Sequence, residues 1–297
     1  MKTPVFEGAC TAIVTPFCER GIDSSALKKQ LDFQAENGIK AVVIAGTTGE
    51  NAALELREYE LLCLHAIRHA AGRMKCIVGI GGNHTEECLR KAEFAEAAGA
   101  DALLMTAPYY NKTTQAGLVA HFSYVADRIG IPLILYNVPS RTAIGISAET
   151  YAALAAHPMI NGVKESSGDF SLIAEIRNRC SEFNIWCGND DQTIPMMALG
   201  ARGTVSVASN VIPADVSEIC ELCLNGNFEA ARHRYGRIAQ LCRLLFAETN
   251  PIPVKAAMAM CGTDSGLLRL PLVPLTSGNA DLLRAELEKL GLPVQAS

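Results

Sequence analysis

The chain has 297 residues, 49% hydrophobic and 19% charged, which is enough apolar material for a large core and excludes a disordered resting state. Its net charge is −5 with the two signs interspersed, so it offers no basic stripe to nucleic acid or acidic lipid. The opening MKTPVFEGACTAIVTPF lacks a signal-peptide pattern and no apolar run reaches membrane-spanning length. Eleven cysteines are scattered over strand-like and helix-like stretches; that odd count fits buried thiols in a reducing cytoplasm better than a disulfide framework.

In chain order, β-rich runs stand at 9–14, 41–45, 75–80, 101–106, 133–137, 162–165, 184–187 and 203–207, each followed by helical periodicity. Their starts lie roughly 20 to 35 residues apart, the interval of repeated βαβ units. Several (AVVIAG, ALLMTAP, PLILYNV) are almost continuously apolar, as strands buried on both faces are. Eight such strands predict an α/β fold, a closed (β/α)8 TIM barrel. An open doubly wound sheet is the alternative, but no GxGxxG turn follows the first strand. Gly38, Gly99 and Gly130 follow amphipathic stretches, where a left-handed residue ends a helix. After Ala208 the strand signals stop, and 228–248 and 282–290 read as helices, the latter with Asn279 as N-cap and Gly291 as stop. The expected organisation is a barrel over 1–225 and a C-terminal helical region over 226–297, packed on it because no linker-like stretch intervenes.

In such a barrel the chemistry sits at the C-terminal ends of the strands, and strand starts serve stability. That rule sorts the ten lysines. Lys40 and Lys75 stand at strand starts; Lys2, Lys28, Lys29, Lys91 and Lys289 lie at the terminus or on polar helix faces. Lys112 is in a loop, and Lys255 has apolar company but belongs to the tail. Lys164 alone ends a strand, preceded by Val163 and followed by Glu165. If Lys164 points inward, strand alternation sends Glu165 to the other face. An amine desolvated with no carboxylate beside it is held less firmly as ammonium, leaving free base to attack a carbonyl. Position alone leaves Lys164 open between that role and a structural buried lysine.

Tyr136 ends the preceding strand, where a phenol can shuttle the protons of Schiff-base formation. A tyrosine merely packed in the barrel mouth is the competing reading. Thr47 and Thr48 lie in a tight turn entering a helix, a place whose backbone amides suit a carboxylate. Arg141 follows Pro139 and Ser140 at the same end and has the planar fork to grip a second carboxylate, or else is a surface loop residue. A metal centre is disfavoured: only His84 follows a strand, His65 and His69 lack the glutamate of a zincin helix, and Cys220 and Cys223 form a CxxC without a second pair.

GTTGE after the second strand, YYNK after the fourth, YNVPSRT at the fifth and VKESSGD at the sixth, with GTVSVASN and NPIPVKAAM further on, resemble the dihydrodipicolinate synthase family of pyruvate-dependent class I aldolases. That group also includes N-acetylneuraminate lyase. The resemblance implies a covalent imine between pyruvate and Lys164, with no separate cofactor, and condensation with L-aspartate 4-semialdehyde in lysine and diaminopimelate biosynthesis. It implies a proton relay of Tyr136, Thr47 and Tyr110, the last reaching in from a neighbouring subunit of a homo-oligomer, a dimer or dimer of dimers. Thr48 and its turn would hold the pyruvate carboxylate and Arg141 the semialdehyde carboxylate, with Gly188 and Val205 lining the pocket. Asn83, Glu87 and Tyr109 match an allosteric lysine site of some relatives, but Leu56 and Tyr59 stand where sensitive enzymes carry histidines, which counts against lysine feedback. Thr113 and Asn51 also depart from the usual motifs without touching the relay. Two rivals stand beside this expectation: a lyase of the same group acting on sialic acid or a sugar-derived 2-oxo acid, and a barrel that only senses a small carboxylate.

Overall fold

Strands buried on both faces need helices outside and a second apolar layer inside, and both layers are visible in how side chains alternate. The computed structural model describes residues 2–295. The barrel strands are β1 (Gly8–Ala12), β2 (Ala41–Ile44), β3 (Lys75–Gly79), β4 (Ala102–Thr106), β5 (Leu133–Asn137), β6 (Ile160–Glu165), β7 (Asn184–Cys187) and β8 (Gly203–Ser206). Each pairs in parallel with its sequence neighbours, and β1 pairs with β8, which closes the ring. Along β2, Ala41 and Val43 join the inner cluster while Val42 and Ile44 join the outer one; Ile134 and Tyr136 of β5 divide from Leu133 and Leu135 in the same way. The two-residue period of the strand thus separates a barrel interior from a barrel–helix core.

Eight helices cover the outside: α1 (Ser24–Glu36), α2 (Leu56–Ala70), α3 (Thr85–Ala97), α4 (Gln115–Ala126), α5 (Ala148–Ala155), α6 (Phe170–Arg179), α7 (Thr193–Ala198) and α8 (Pro213–Leu224). Their starts are written in the sequence. Asp23 accepts from the backbone N–H groups of Ser25 and Ala26, both at 2.9 Å, and Thr114, Ser147 and Asp169 cap α4, α5 and α6 likewise.

The far end of the barrel is closed by packing. Phe6 stacks on Trp186 at 5.1 Å between ring centroids, and Trp186 Nε1 donates to the Phe6 carbonyl at 3.1 Å. There the Lys2 ammonium donates to the carbonyls of Ala155, His157 and Ile160 at 2.8, 2.6 and 2.6 Å, tying the first residues across the base of β6. Lys40 and Lys75 pair with Glu221 at 3.4 Å and Asp101 at 2.7 Å, as lysines at strand starts can.

Three helices follow the barrel, α9 (Phe228–Leu244), α10 (Ile252–Met260) and α11 (Ser277–Lys289). α9 packs on α8 and α11, and α10 on α11. Two expectations are corrected here. The last helix starts five residues earlier than its apolar pattern suggests, and Thr276, not Asn279, is its N-cap. Asn279 lies inside the helix and donates to Glu248 Oε1 at 2.7 Å, which also accepts from Thr276. Glu248 itself is beyond α9, which ends at Leu244. No helix of the described residues is long and apolar enough to cross a membrane.

Candidate active site

Lys164 and Tyr136 face each other in register across β5 and β6. Both are on the inward set of positions; Lys164 is 5% exposed, and its Nζ lies 4.4 Å from the centroid of the Tyr136 ring. Glu165 goes the other way. Its carboxylate accepts from Asn137 Nδ2 at 3.0 and 2.9 Å, from the Tyr151 hydroxyl at 2.9 Å and from the Ser167 N–H at 2.7 Å. Burial still pushes its pKa above the usual carboxylate range, a cost these donors only partly offset.

Gly188 follows β7 beside this pair. A Cβ there would meet Ser166 Oγ at 1.9 Å and Lys164 Cε at 2.8 Å, so only glycine leaves room for the lysine chain. Val205, on β8, is buried in the inner cluster with Tyr136 and Trp186. Asp190 is buried near the same end and accepts from the N–H groups of Val207 at 3.0 Å and Ala208 at 2.9 Å. Burial raises its pKa, opposed by those bonds and by the positive charge of Lys164.

The turn after β2 forms the opposite wall. Ala45 and Glu50, at φ 52° and 54°, hold left-handed conformations on either side of Gly46–Gly49. Thr48 is buried, and its Oγ1 accepts from Asn250 Nδ2 at 2.9 Å. Arg141 sits on a single helical turn, Pro139–Thr142, and its Nη2 donates to the Asn250 carbonyl at 3.1 Å. Asn250 therefore links two predicted site residues, and its Oδ1 is buried with no protein partner.

A cleft of about 430 Å³ opens at this end. Thr47, Tyr136, Arg141, Asn83, Glu87 and Tyr109 line it. Lys164, Thr48, Gly188 and Val205 are not part of its lining, but Tyr136 is common to the cleft wall and to the face over which Lys164 Nζ rests. Tyr110 takes no part in the cleft of its own chain; it is 91% exposed at φ 66°. Leu56 is exposed, whereas Tyr59 is fully buried beneath the Lys91 ammonium.

Local reading missed Asn250, Glu50 and Lys255. Lys255, assigned to the tail, is wholly buried on α10 and paired with Glu50 at 2.8 Å. The only trace of these contacts in the chain is the pair of motifs themselves, GTTGE and NPIPVKAAM, since the partners are some 200 residues apart. Among the described residues, no group of three His, Cys, Asp or Glu side chains is placed to hold a metal, and the cysteines are unpaired. Burial pushes most of those thiols up, Cys63 and Cys187 to about 12, so they are poor nucleophiles.

A sequence model of the Dihydrodipicolinate synthetase family matches residues 5–290. The chain belongs to this family. It is 45% identical over 296 residues to the 4-hydroxy-tetrahydrodipicolinate synthase of Thermoanaerobacter sp. (strain X514), covering 99% of this chain and 100% of the relative. The crystal structure of dihydrodipicolinate synthase from Aquifex aeolicus superposes with a TM-score of 0.96 at 42% identity, over 98% of this chain and 100% of that one. The family member from Acinetobacter baumannii, solved complexed with pyruvate, matches with a TM-score of 0.94 at 37% identity, over 97% and 99% of the two chains.

Proposed function

We propose that the protein is a 4-hydroxy-tetrahydrodipicolinate synthase that condenses pyruvate with L-aspartate 4-semialdehyde through an imine on Lys164. The observation that carries this reading is the buried Lys164 amine against the ring of Tyr136, which lines a cleft with Thr47 and Arg141. Full-length similarity to named synthases supports the same reading.

In the proposed reaction, Lys164 Nζ attacks C2 of pyruvate, and the C2 oxygen takes one proton from the attacking nitrogen, then a second, and leaves as water. Tyr136, relayed through Thr47 and the Tyr110 of a second subunit, supplies that proton and later accepts one. Loss of a C3 proton turns the imine into an enamine, whose C3 attacks the aldehyde carbon of the semialdehyde while the aldehyde oxygen becomes a hydroxyl. The substrate's amino group then adds to the imine carbon, and Lys164 departs as free amine with the ring closed. Amides and hydroxyl of the Thr47–Thr48 turn hold the pyruvate carboxylate. Arg141, tethered to Asn250, holds the carboxylate of the semialdehyde bidentately. Gly188 and Val205 shape the wall around the lysine.

Asn83, Glu87 and Tyr109 form the outer part of the cleft, but an aliphatic Leu56 and a buried Tyr59 hydroxyl give a lysine ligand nothing to replace the missing histidines. Side-by-side assays test substrate choice: rapid condensation of pyruvate with aspartate semialdehyde, unslowed by free lysine, and no cleavage of sialic acid. Cleavage of sialic acid without condensation would move the protein to the lyase branch.

A further inference from the structure

The buried ion pair Glu50–Lys255 lies outside every step of the reaction above, yet it is anchored to the turn that would receive pyruvate. Glu50 Oε1 meets Lys255 Nζ at 2.8 Å, with side-chain exposures of 1% and 0%. Glu50 Oε2 accepts from the Arg269 N–H at 3.0 Å. Lys255 Nζ also donates to the Thr15 carbonyl at 2.9 Å, and Thr15 Oγ1 donates to the Gly49 carbonyl at 2.6 Å. Phe17 carries both cations, with Lys255 Nζ and Arg269 Cζ each 4.3 Å from its ring centroid. The Arg269 guanidinium continues the network to Glu58.

The turn needs such anchoring. Two non-glycine residues, Ala45 and Glu50, are left-handed within six positions, and strained backbone of that kind persists only where its surroundings over-determine it. Glu50 is both the strained residue and the anchor. Adding Asn250 Nδ2 to Thr48 Oγ1, the Gly46–Glu50 segment is held at Thr48, Gly49 and Glu50, directly or through Thr15, by side chains and backbone from the segment just after β1 and the C-terminal region. A pair kept only for stability has no need of charge, because well-packed neutral residues often serve as well or better.

We propose that Glu50 and Lys255 are positioning residues that set the Thr47–Thr48 turn at the distance pyruvate requires, so that the C-terminal region completes the substrate site. This rests on the reading that the turn binds the pyruvate carboxylate. Two folded variants test it through KM for pyruvate. E50Q/K255M removes both charges at similar volume, and E50D keeps both charges but shortens the anchor by one methylene. Each is expected to raise KM for pyruvate about threefold or more, with kcat falling by less than KM rises and the melting temperature of E50Q/K255M held or increased. A KM within about threefold of wild type in a folded variant, or a loss confined to kcat, overturns the proposal; so does failure of both variants to fold, which makes the pair structural. Wild-type enzyme that forms no imine with pyruvate removes the functional reading itself, whereas imine formation with an unmoved KM removes only this inference.

Discussion

Lys164 and Glu165 are neighbours in the chain, but the alternation of β6 puts a wall between them. The amine faces an aromatic ring inside the barrel; the carboxylate faces Asn137 and Tyr151 outside it. Had both pointed inward they would have faced each other as an ion pair. Tyr136 is the residue whose role is most open to direct test. Replacing it with phenylalanine keeps the ring that packs against Lys164 and deletes only the hydroxyl. The expected outcome is an unchanged melting temperature with kcat lowered about 100-fold or more, the range for losing a general acid–base group; steady-state kinetics with near-normal kcat would contradict the relay. Strand position brings Lys164 and Tyr136 side by side, but by itself leaves the role of each open. Asn250 was not legible in the sequence, because its link to Thr48 joins residues 202 apart in the chain, beyond the reach of any local pattern.

At the scale of elements, all eight barrel strands were visible, several of them as apolar runs, and the structure moves their ends by no more than two residues. The physical reason is that strands buried on both faces carry mainly apolar side chains, which sets them apart from the amphipathic helices between them. Helices were clear where a left-handed glycine stopped them, as at Gly38 and Gly99, and misread where capping came from afar. Glu248 gathers Thr276 and Asn279 together, so a residue that looks like a local cap serves a contact between segments. α10 escaped notice because its sequence, IPVKAAMAM, is apolar nearly all round, which is how a wholly buried short helix reads. The lysine in that helix looked like an outlier of the tail. Its Glu50 partner makes it part of the catalytic end instead.

At the scale of the whole molecule, the proposed relay is incomplete within one chain. Tyr110 is 91% exposed, and it is accompanied on the surface by Leu270 at 81% and Leu56 at 59% exposure. In the proposed reading, the open Tyr110 side chain is free to reach the relay of a second copy. Sedimentation at micromolar concentration is expected to show a dimer or a dimer of dimers; a monomer with full turnover would contradict the shared relay. The central step of the proposed reaction is narrower than assembly or pathway: a carbonyl carbon would become bonded to one lysine nitrogen out of ten lysines. Incubation with pyruvate and sodium borohydride, followed by peptide mass spectrometry, measures it directly. The predicted result is a reduced pyruvyl group on the peptide carrying Lys164, abolished in K164M and absent from Lys255. No adduct, or an adduct retained in K164M, would contradict it.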